Sequence, residues 1–452
     1  MGRDRLAQSP HDSDMGPILS TIKSLLEVPC RVLHSPMFLL LVLALGVRAL
    51  FLVVVAPDPL KWPDSRHYDR IAWRLARGQS YDAIGESPPA AYRPPLLPVF
   101  MAAVYALCGH NVLAVQYALA LVTAMVAPIV FSCTRRLAHR RTALIAGVAA
   151  ALYPQHVYLC GAFYPEAIGV VLIALISWSA LALAQAPTAS YRLTGLLGAL
   201  CGLAALCRPN WLLAMPAAIS IVLWKLHRTS AAIRRSGLLL ALLTWAVTWT
   251  PWTIRNYFVH NKLILISANG GRNLYLGNHP SARWNSTTAV PIPDTVRRRE
   301  LALLDAPGEL DSYFRQLAWS HIASNPLRSL SLYIGKFIHY WQPFFFTKSN
   351  PTPFYYNAVA ALTYTPVLLC TVLAVLTSCR STRRYLSLLL LLPLLDAMTV
   401  SFFITPIRLR LPFDHLLIIV TAVYLYRRAH RSAAESLEAA AVHMPHIENE
   451  VR

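Results

Sequence analysis

The stretch KWPDSRHYDRIAWRLARG, residues 61–78, follows closely on an apolar run at 37–56 that is long enough to cross a bilayer. It packs two aspartates, four arginines, a lysine and a histidine into eighteen residues. A dense block of charge at the exit of a membrane span is either a solvated loop or one wall of a site. Which of the two it is depends on where the chain places its other charges.

The chain has 452 residues, of which 56% are hydrophobic and only 14% charged. That is too apolar for a soluble globular protein. Further apolar runs at 113–133, 142–160, 168–186, 237–251 with its flanks, and 411–426 approach or reach the ~18 residues that span a bilayer core. The expected class is an all-α polytopic membrane protein. Residues 1–36 are mixed and polar, and the first apolar run lacks a small-residue cleavage site, so no cleavable signal peptide is expected. The net charge of +20 does not point to nucleic acid, because the basic residues fall in short clusters between the apolar runs. These are Arg135, Arg136, Arg140 and Arg141; Lys225, Arg228, Arg234 and Arg235; Arg380, Arg383 and Arg384; and Arg427, Arg428 and Arg431. Such clustering marks cytoplasmic loops. None of the eight cysteines forms a CxxC pair, which argues against a zinc site or a disulfide framework.

With the N-terminus inside, about ten spans satisfy every cluster: 37–56, 112–133, 143–160, 166–185, 193–207, 211–225, 237–253, 357–378, 385–404 and 411–426. Residues 1–36 and 427–452 are then cytoplasmic, and 37–426 forms the membrane domain, with outer loops at about 57–111 and 255–356. Two apolar stretches are expected as interfacial helices. RPPLLPVFMAAVYALCG (93–109) is short and begins with prolines, and a full crossing there would invert every downstream cluster. The Trp/Tyr-rich segment 331–346 reads the same way. Residues 61–78 therefore face outward at the membrane surface, where 65–77 has helical character and Asp64, after Pro63, stands at an N-cap position.

Six segments occur in order: PDSRHYDRIAWRLARGQSY, AAYRPPLLPVFMAAVYALCG, ALYPQHVYLCGAFYPEA, GLAALCRPNWLL, PWTIRNYFVHNKLILISANGGRNLYLGN and IRLRLPFDHLL. Together they resemble bacterial membrane glycosyltransferases related to the protein O-mannosyltransferases and the lipid A aminoarabinose transferase, which share the GT-C fold. The resemblance covers roughly residues 40–425. It implies a GT-C-like bundle with interfacial helices and an outer-face loop region. It also implies a donor made of one sugar on a polyprenyl phosphate, a lipid or protein acceptor, and transfer on the outer, periplasmic side of the inner membrane. It places the catalytic aspartate at Asp64, a basic contact to the donor phosphate at Arg93, and a second carboxylate at Glu166. One departure concerns the residue before the basic position. The aminoarabinose transferases carry an acid there, whereas here it is Tyr92, and the nearest carboxylate is Glu86.

Each of these residues also has a structural reading. Asp64 caps a helix, or it accepts the proton of an acceptor hydroxyl. Glu166 is an acid favoured by the positive end of a helix, or an ionisable group placed at the head of a span for function. Arg93, Arg208, Arg255, Arg408 and Arg410 all map to outer ends of spans, against the positive-inside bias. They bind lipid headgroups, or they converge on a phosphate leaving group, for which Arg93 and one of Arg408 and Arg410 are the preferred pair. Arg48, inside the first span, is expected to pair internally. The stretch ANGGRNLYLGN (268–278) reads as turns, and its Asn273, Tyr275 and Asn278 are candidates for sugar hydroxyls, as are His67, Tyr68 and Tyr92. Asp64 and Glu166 together can hold one hard divalent cation such as Mg or Mn, a role the arginines can take instead. The competing function classes are a transporter or flippase, against which the lack of internal repeats counts, and a catalytically silent assembly subunit.

Overall fold

The computed structural model describes residues 35–82, 91–186, 190–226, 231–285, 291–344 and 354–442. Residues 1–34 of the N-terminal segment expected at 1–36, the end of the tail and Glu86 lie outside the described residues. The described chain is helical throughout its regular elements, with no strand.

Helices occupy all ten expected segments. Six are long and apolar enough to cross a membrane: Pro36–Val55, Val112–Arg135, Glu166–Gln185, Arg234–His260, Phe354–Thr377 and Ile407–His430. A seventh arises if Arg140–Leu152 and Pro154–Gly161, bent by 44° where Pro154 interrupts the ladder, form one span. The other three, Tyr191–Cys207, Trp211–Leu226 and Arg380–Val400, are helices that fall outside this test. The protein is a multi-pass membrane protein. Leu96–Cys108 is apolar but only 13 residues long, about 20 Å against a ~30 Å bilayer core, so it does not cross. A 15-residue helix, Pro326–Tyr340, covers most of the segment expected as the second interfacial helix.

At the centre stands Glu166–Gln185, buried over most of its length. Small residues let its neighbours close in. A Cβ on Gly169 would lie 2.8 Å from the Trp211 ring, and one on Gly202 would lie 2.8 Å from the Trp245 carbonyl oxygen. Gly198 and Gly202 have the four-residue spacing that brings two membrane helices into backbone contact, here Tyr191–Cys207 and Ala231–His260.

One sequence expectation changes and one holds. The Gly/Asn-rich stretch expected as turns is a helix, Gly270–Asn278. Its glycines serve close approach rather than turning: a Cβ on Gly277 would fall 2.6 Å from the Phe403 carbonyl, and one on Gly271 would overlap the Asp311 carbonyl oxygen. Arg48 is buried as expected, donating to Thr123 Oγ1 (2.9 Å) and to the carbonyls of Ala44 (2.9 Å) and Ala151 (3.2 Å).

Candidate active site: a carboxylate–arginine network

Helix Pro63–Ala76 begins at Pro63, whose fixed φ suits the first helical position. Trp62 is therefore the N-cap and Asp64 lies within the first turn, making no cap bond. This corrects the expected capping role and leaves both carboxylate oxygens for other partners. Arg93 Nη2 donates to Asp64 Oδ1 at 2.7 Å, and Arg408 Nη2 donates to Asp64 Oδ2 at 2.7 Å. Arg408 Nε also lies 3.6 Å from Glu166 Oε1, and Glu166 forms an ion pair with Arg208. Five residues thus form one chain: Arg93, Asp64, Arg408, Glu166, Arg208.

Every member sits at or beside the end of a helix. Glu166 is the first residue of the central helix, after Pro165. Arg208 is the C-cap of Tyr191–Cys207, and Arg408 lies in the 3-10 segment Ile407–Phe413 that leads into the last helix. Arg93 stands just before Leu96–Cys108. At the far end of the central helix, Gln185 Nε2 donates to the Arg136 carbonyl (2.9 Å), beside the 135–141 arginine cluster. The network and that cluster are therefore separated by the length of a 20-residue helix, about 30 Å.

Three guanidinium groups against two carboxylates leave one positive charge in the network. The opening lies at Asp64 and Arg408, whose side chains are 34% and 33% exposed, whereas Glu166 is 1% exposed. A ligand therefore meets the Asp64–Arg408 end first. Burial works to raise the Asp64 pKa, but Arg93 and Arg408 overcome it and hold the carboxyl well below the usual carboxylate range. Burial likewise opposes the charge on Arg93, and Asp64 more than restores it.

Aromatic side chains frame the guanidinium groups. The Arg93 guanidinium lies 5.0 Å from the ring centroids of both Tyr68 and Tyr92, and that of Arg408 lies 4.3 Å from Tyr164. His67 Nδ1 accepts from Arg93 Nε at 3.1 Å. Burial, aided by Arg93 and Arg70, pulls His67 down to about 3, so its imidazole is neutral. Asp64, Glu166, Arg93, Arg208, Arg408, His67, Tyr68 and Tyr92 thus lie together.

The remaining candidates do not join them. Arg410 is fully buried, donating to Asp414 Oδ1 (2.9 Å) and to the Gln342 carbonyl (2.6 Å), with Tyr364 against its plane. Arg255 is held 2.7 Å from Asp82 Oδ2. Tyr275 packs against Phe314, and the Asn278 amide donates to the carbonyls of Leu274 and Phe402. Asn273 is half-buried within the same helix.

Sequence reading missed a brace behind Arg93. Tyr81 Oη donates to the Arg93 carbonyl at 3.0 Å and to that of Pro94 at 3.3 Å. Asp82 accepts from the Ala91 amide at 2.6 Å while pairing with Arg255, which pins this segment to the end of Ala231–His260. Arg272 was also missed; it lies near Tyr92 and pairs with Glu300 at 2.8 Å. No local signal distinguishes it from other loop arginines.

The metal reading fits poorly. Both candidate carboxylates are already engaged by arginines, and no group of three or more His, Cys, Asp or Glu side chains suited to a metal occurs among the described residues.

A family model of dolichyl-phosphate-mannose-protein mannosyltransferases matches residues 92–254, which include Arg93, Glu166 and Arg208. Among solved structures, the chain is similar to the archaeal oligosaccharyltransferase AglB from Archaeoglobus fulgidus. The complex with an inhibitory peptide and a dolichol-phosphate superposes at TM-score 0.52 and 14% identity, over 92% of this chain and 52% of that one. The apo form gives TM-score 0.53 and 13% identity, over 90% and 52%. This is the GT-C fold. ArnT from Cupriavidus metallidurans bound to undecaprenyl phosphate is also similar, at TM-score 0.39 and 17% identity over 86% of this chain and 78% of that one. The GT-C chain described here spans about half the length of the archaeal enzymes. Among curated proteins no sequence matches it significantly.

Proposed function

We propose that the protein is a membrane glycosyltransferase that moves a single sugar from a polyprenyl-phosphate donor to a lipid or protein acceptor on the periplasmic face of the inner membrane. The observation that carries this reading is the convergence of Arg93 and Arg408 on one partly exposed carboxylate, Asp64. Two guanidinium groups 2.7 Å from the same carboxylate hold a position that suits a phosphate group as well, since its anionic oxygens, though tetrahedrally arranged, accept the same charge-assisted bonds. The GT-C fold and the family-model match at 92–254 support a lipid-phosphate sugar donor.

Donor binding then has a chemical consequence. A phosphate that takes over Arg93 and Arg408 removes the two charges that hold the Asp64 carboxyl down, so the carboxylate becomes a better base. The acceptor oxygen forms a bond to the anomeric carbon as the bond from that carbon to the phosphate oxygen breaks. The hydroxyl proton passes to Asp64, and the charge left on the phosphate is stabilised by the two guanidinium groups. Glu166 and Arg208 keep Arg408 in place from the buried side. Residues 37–426 form the catalytic unit, with 1–36 and 427–452 on the cytoplasmic side.

The test supplies membranes carrying the protein with a panel of radiolabelled polyprenyl-phosphate sugars. Label should move from one donor to an acceptor, and Arg93→Ala should abolish the transfer. Label crossing the bilayer while still attached to its lipid would support the flippase reading and overturn this one.

A further inference from the structure

Away from the network, the inner face of the interfacial helix Pro326–Tyr340 carries basic side chains where an amphipathic helix usually carries apolar ones. Its buried residues are Leu332, Lys336, His339 and Tyr340, all on one face. Lys336 is 2% exposed, and its Nζ has no hydrogen-bond partner. A lysine is almost never fully buried unless it is paired, and a buried charge left alone costs several kcal/mol.

The charge that acts on Lys336 is positive, from Arg328; the carboxylate that reaches this helix, Asp396, is taken up by Tyr340 (2.9 Å), Asn210 and Trp211 and not by Lys336. Arg328, two turns earlier, donates to the carbonyls of His279 (3.1 Å), Pro280 (2.7 Å) and Ala282 (3.0 Å), laying the 279–285 segment along the helix. Trp284 rests on Gly335, the residue before Lys336, and its ring stands 5.2 Å from that of His339. The His279 and His321 rings are 6.3 Å apart. None of Lys336, Arg328, His279, His321 and His339 is in an ion pair with a carboxylate among the described residues.

We propose that Lys336, with Arg328 and His339 beside it, forms a second anion site that takes a phosphate group, separate from the Arg93–Arg408 pair. The ammonium supplies the donors that a phosphate oxygen lacks in a low-dielectric setting, and the anion supplies the counter-charge that Lys336 lacks. Burial, with Arg328 adding to it, pulls Lys336 down to about 7, so the amine stands ready to take up a proton when an anion arrives. The group bound is either the headgroup phosphate of an anionic phospholipid or a soluble phosphate. Arg410 ties the end of this helix to the segment that carries Arg408, through the carbonyls of Tyr340 (3.3 Å) and Gln342 (2.6 Å). The second anion would thus lie on the same side of the molecule as the network.

The test compares thermal unfolding of the full chain with that of Lys336→Met, which keeps the stem and loses the amine. Each is measured in neutral detergent with inorganic phosphate against chloride at matched ionic strength, and in phosphatidylglycerol against phosphatidylcholine nanodiscs. The Arg93–Arg408 pair also takes phosphate, so the reading is the difference between the two proteins. A shift of a few degrees in the wild type that is absent or much smaller in Lys336→Met supports the site. Its appearance with phosphate identifies a soluble ligand, and its appearance only with phosphatidylglycerol identifies a lipid headgroup. Equal shifts in both proteins, or none in either, overturn it. Lys336→Gln replaces the Met variant in the same comparison if the latter fails to fold.

Discussion

Arg408 and Asp64 are 344 residues apart in the sequence and 2.7 Å apart in the structure. The contact joins the start of the helix that follows the first span to the start of the last span, closing the network around the proposed phosphate position. Arg408 also faces Glu166 through Nε, so one guanidinium serves both carboxylates. Arg408→Ala should fold, because the side chain is a third exposed, and should lower transfer by about 10²–10³-fold, as the loss of one charge-stabilising donor does. Arg408→Lys should recover only a small part, since a point charge cannot bridge two acids in the way a planar fork does. Initial rates with saturating donor check this.

Asp64 makes no cap bond, so Asp64→Asn and Asp64→Ala should be similarly stable. Transfer to a hydroxyl acceptor should fall about 10²–10⁴-fold in both, because neither accepts the proton. Donor binding should hold or tighten, because Arg93 and Arg408 lose the carboxylate that competes with phosphate. A binding titration with the lipid phosphate alone decides this. Weaker binding in Asp64→Asn would remove the competition from the mechanism.

His67 is held neutral, its folded pKa lowered to about 3 against 6.5 for the free group. A histidine with a lowered folded pKa contributes stability that is fully present above 6.5 and is lost as pH falls through 6.5 toward 3. The loss is at most about 1.4 kcal/mol per pH unit for one proton. His67→Gln keeps an acceptor for Arg93 Nε and cannot titrate. Melting of the detergent-solubilised protein between pH 7.5 and 4.5 should show a shallower fall for this variant. The Asp64 shift adds nothing in that window, because its stabilisation is lost only below the ordinary carboxylate pKa.

Tyr81 and Asp82 should act on donor binding without touching the donor. Tyr81→Phe removes the hydroxyl that holds the Arg93 and Pro94 carbonyls. The cost of one such bond is about 1 kcal/mol, or roughly fivefold, and it should appear in donor KM more than in kcat. Asp82→Asn should do the same by loosening Arg255, and Arg255→Lys, which keeps the charge, should be milder. A fall in kcat with unchanged KM would mean that the brace does not set the position of Arg93.

Orientation follows from the separation of the network and the 135–141 arginines by the whole central helix. Single cysteines at 270–285 and 291–310 should react with an impermeant thiol reagent added outside, and those at 135–141 only after permeabilisation. The opposite pattern would place the network on the cytoplasmic side.

Much of this was legible from the chain alone, because it depends on local composition. Apolar run length marks the spans, arginine clusters mark one end, and prolines before short apolar runs mark the interfacial helices. The order of short motifs was enough to point to Asp64, Arg93 and Glu166, and to one of Arg408 and Arg410 without saying which. The partners of each charge were not legible, because ion pairing is chosen by contacts between distant segments. Arg408 and Arg410 look alike in IRLRLP. They lie on a 3-10 segment with three residues per turn, so two positions of separation turn them to different faces. One reaches Asp64, and the other is buried against Asp414. Arg255 stood open in the sequence between a lipid headgroup and a substrate, and the fold brings Asp82 to it instead. The glycines of 270–278 mark turns in a sequence and close contacts in a structure, since only packing shows that the backbones of 311 and 403 need the space a Cβ would fill. Composition and spacing determined that this chain lies in a membrane with charge gathered at one face. Only the tertiary structure decided which of those charges neutralise each other inside and which stay open to a ligand, because burial of a charge is tolerated only where a partner from elsewhere in the chain arrives to meet it.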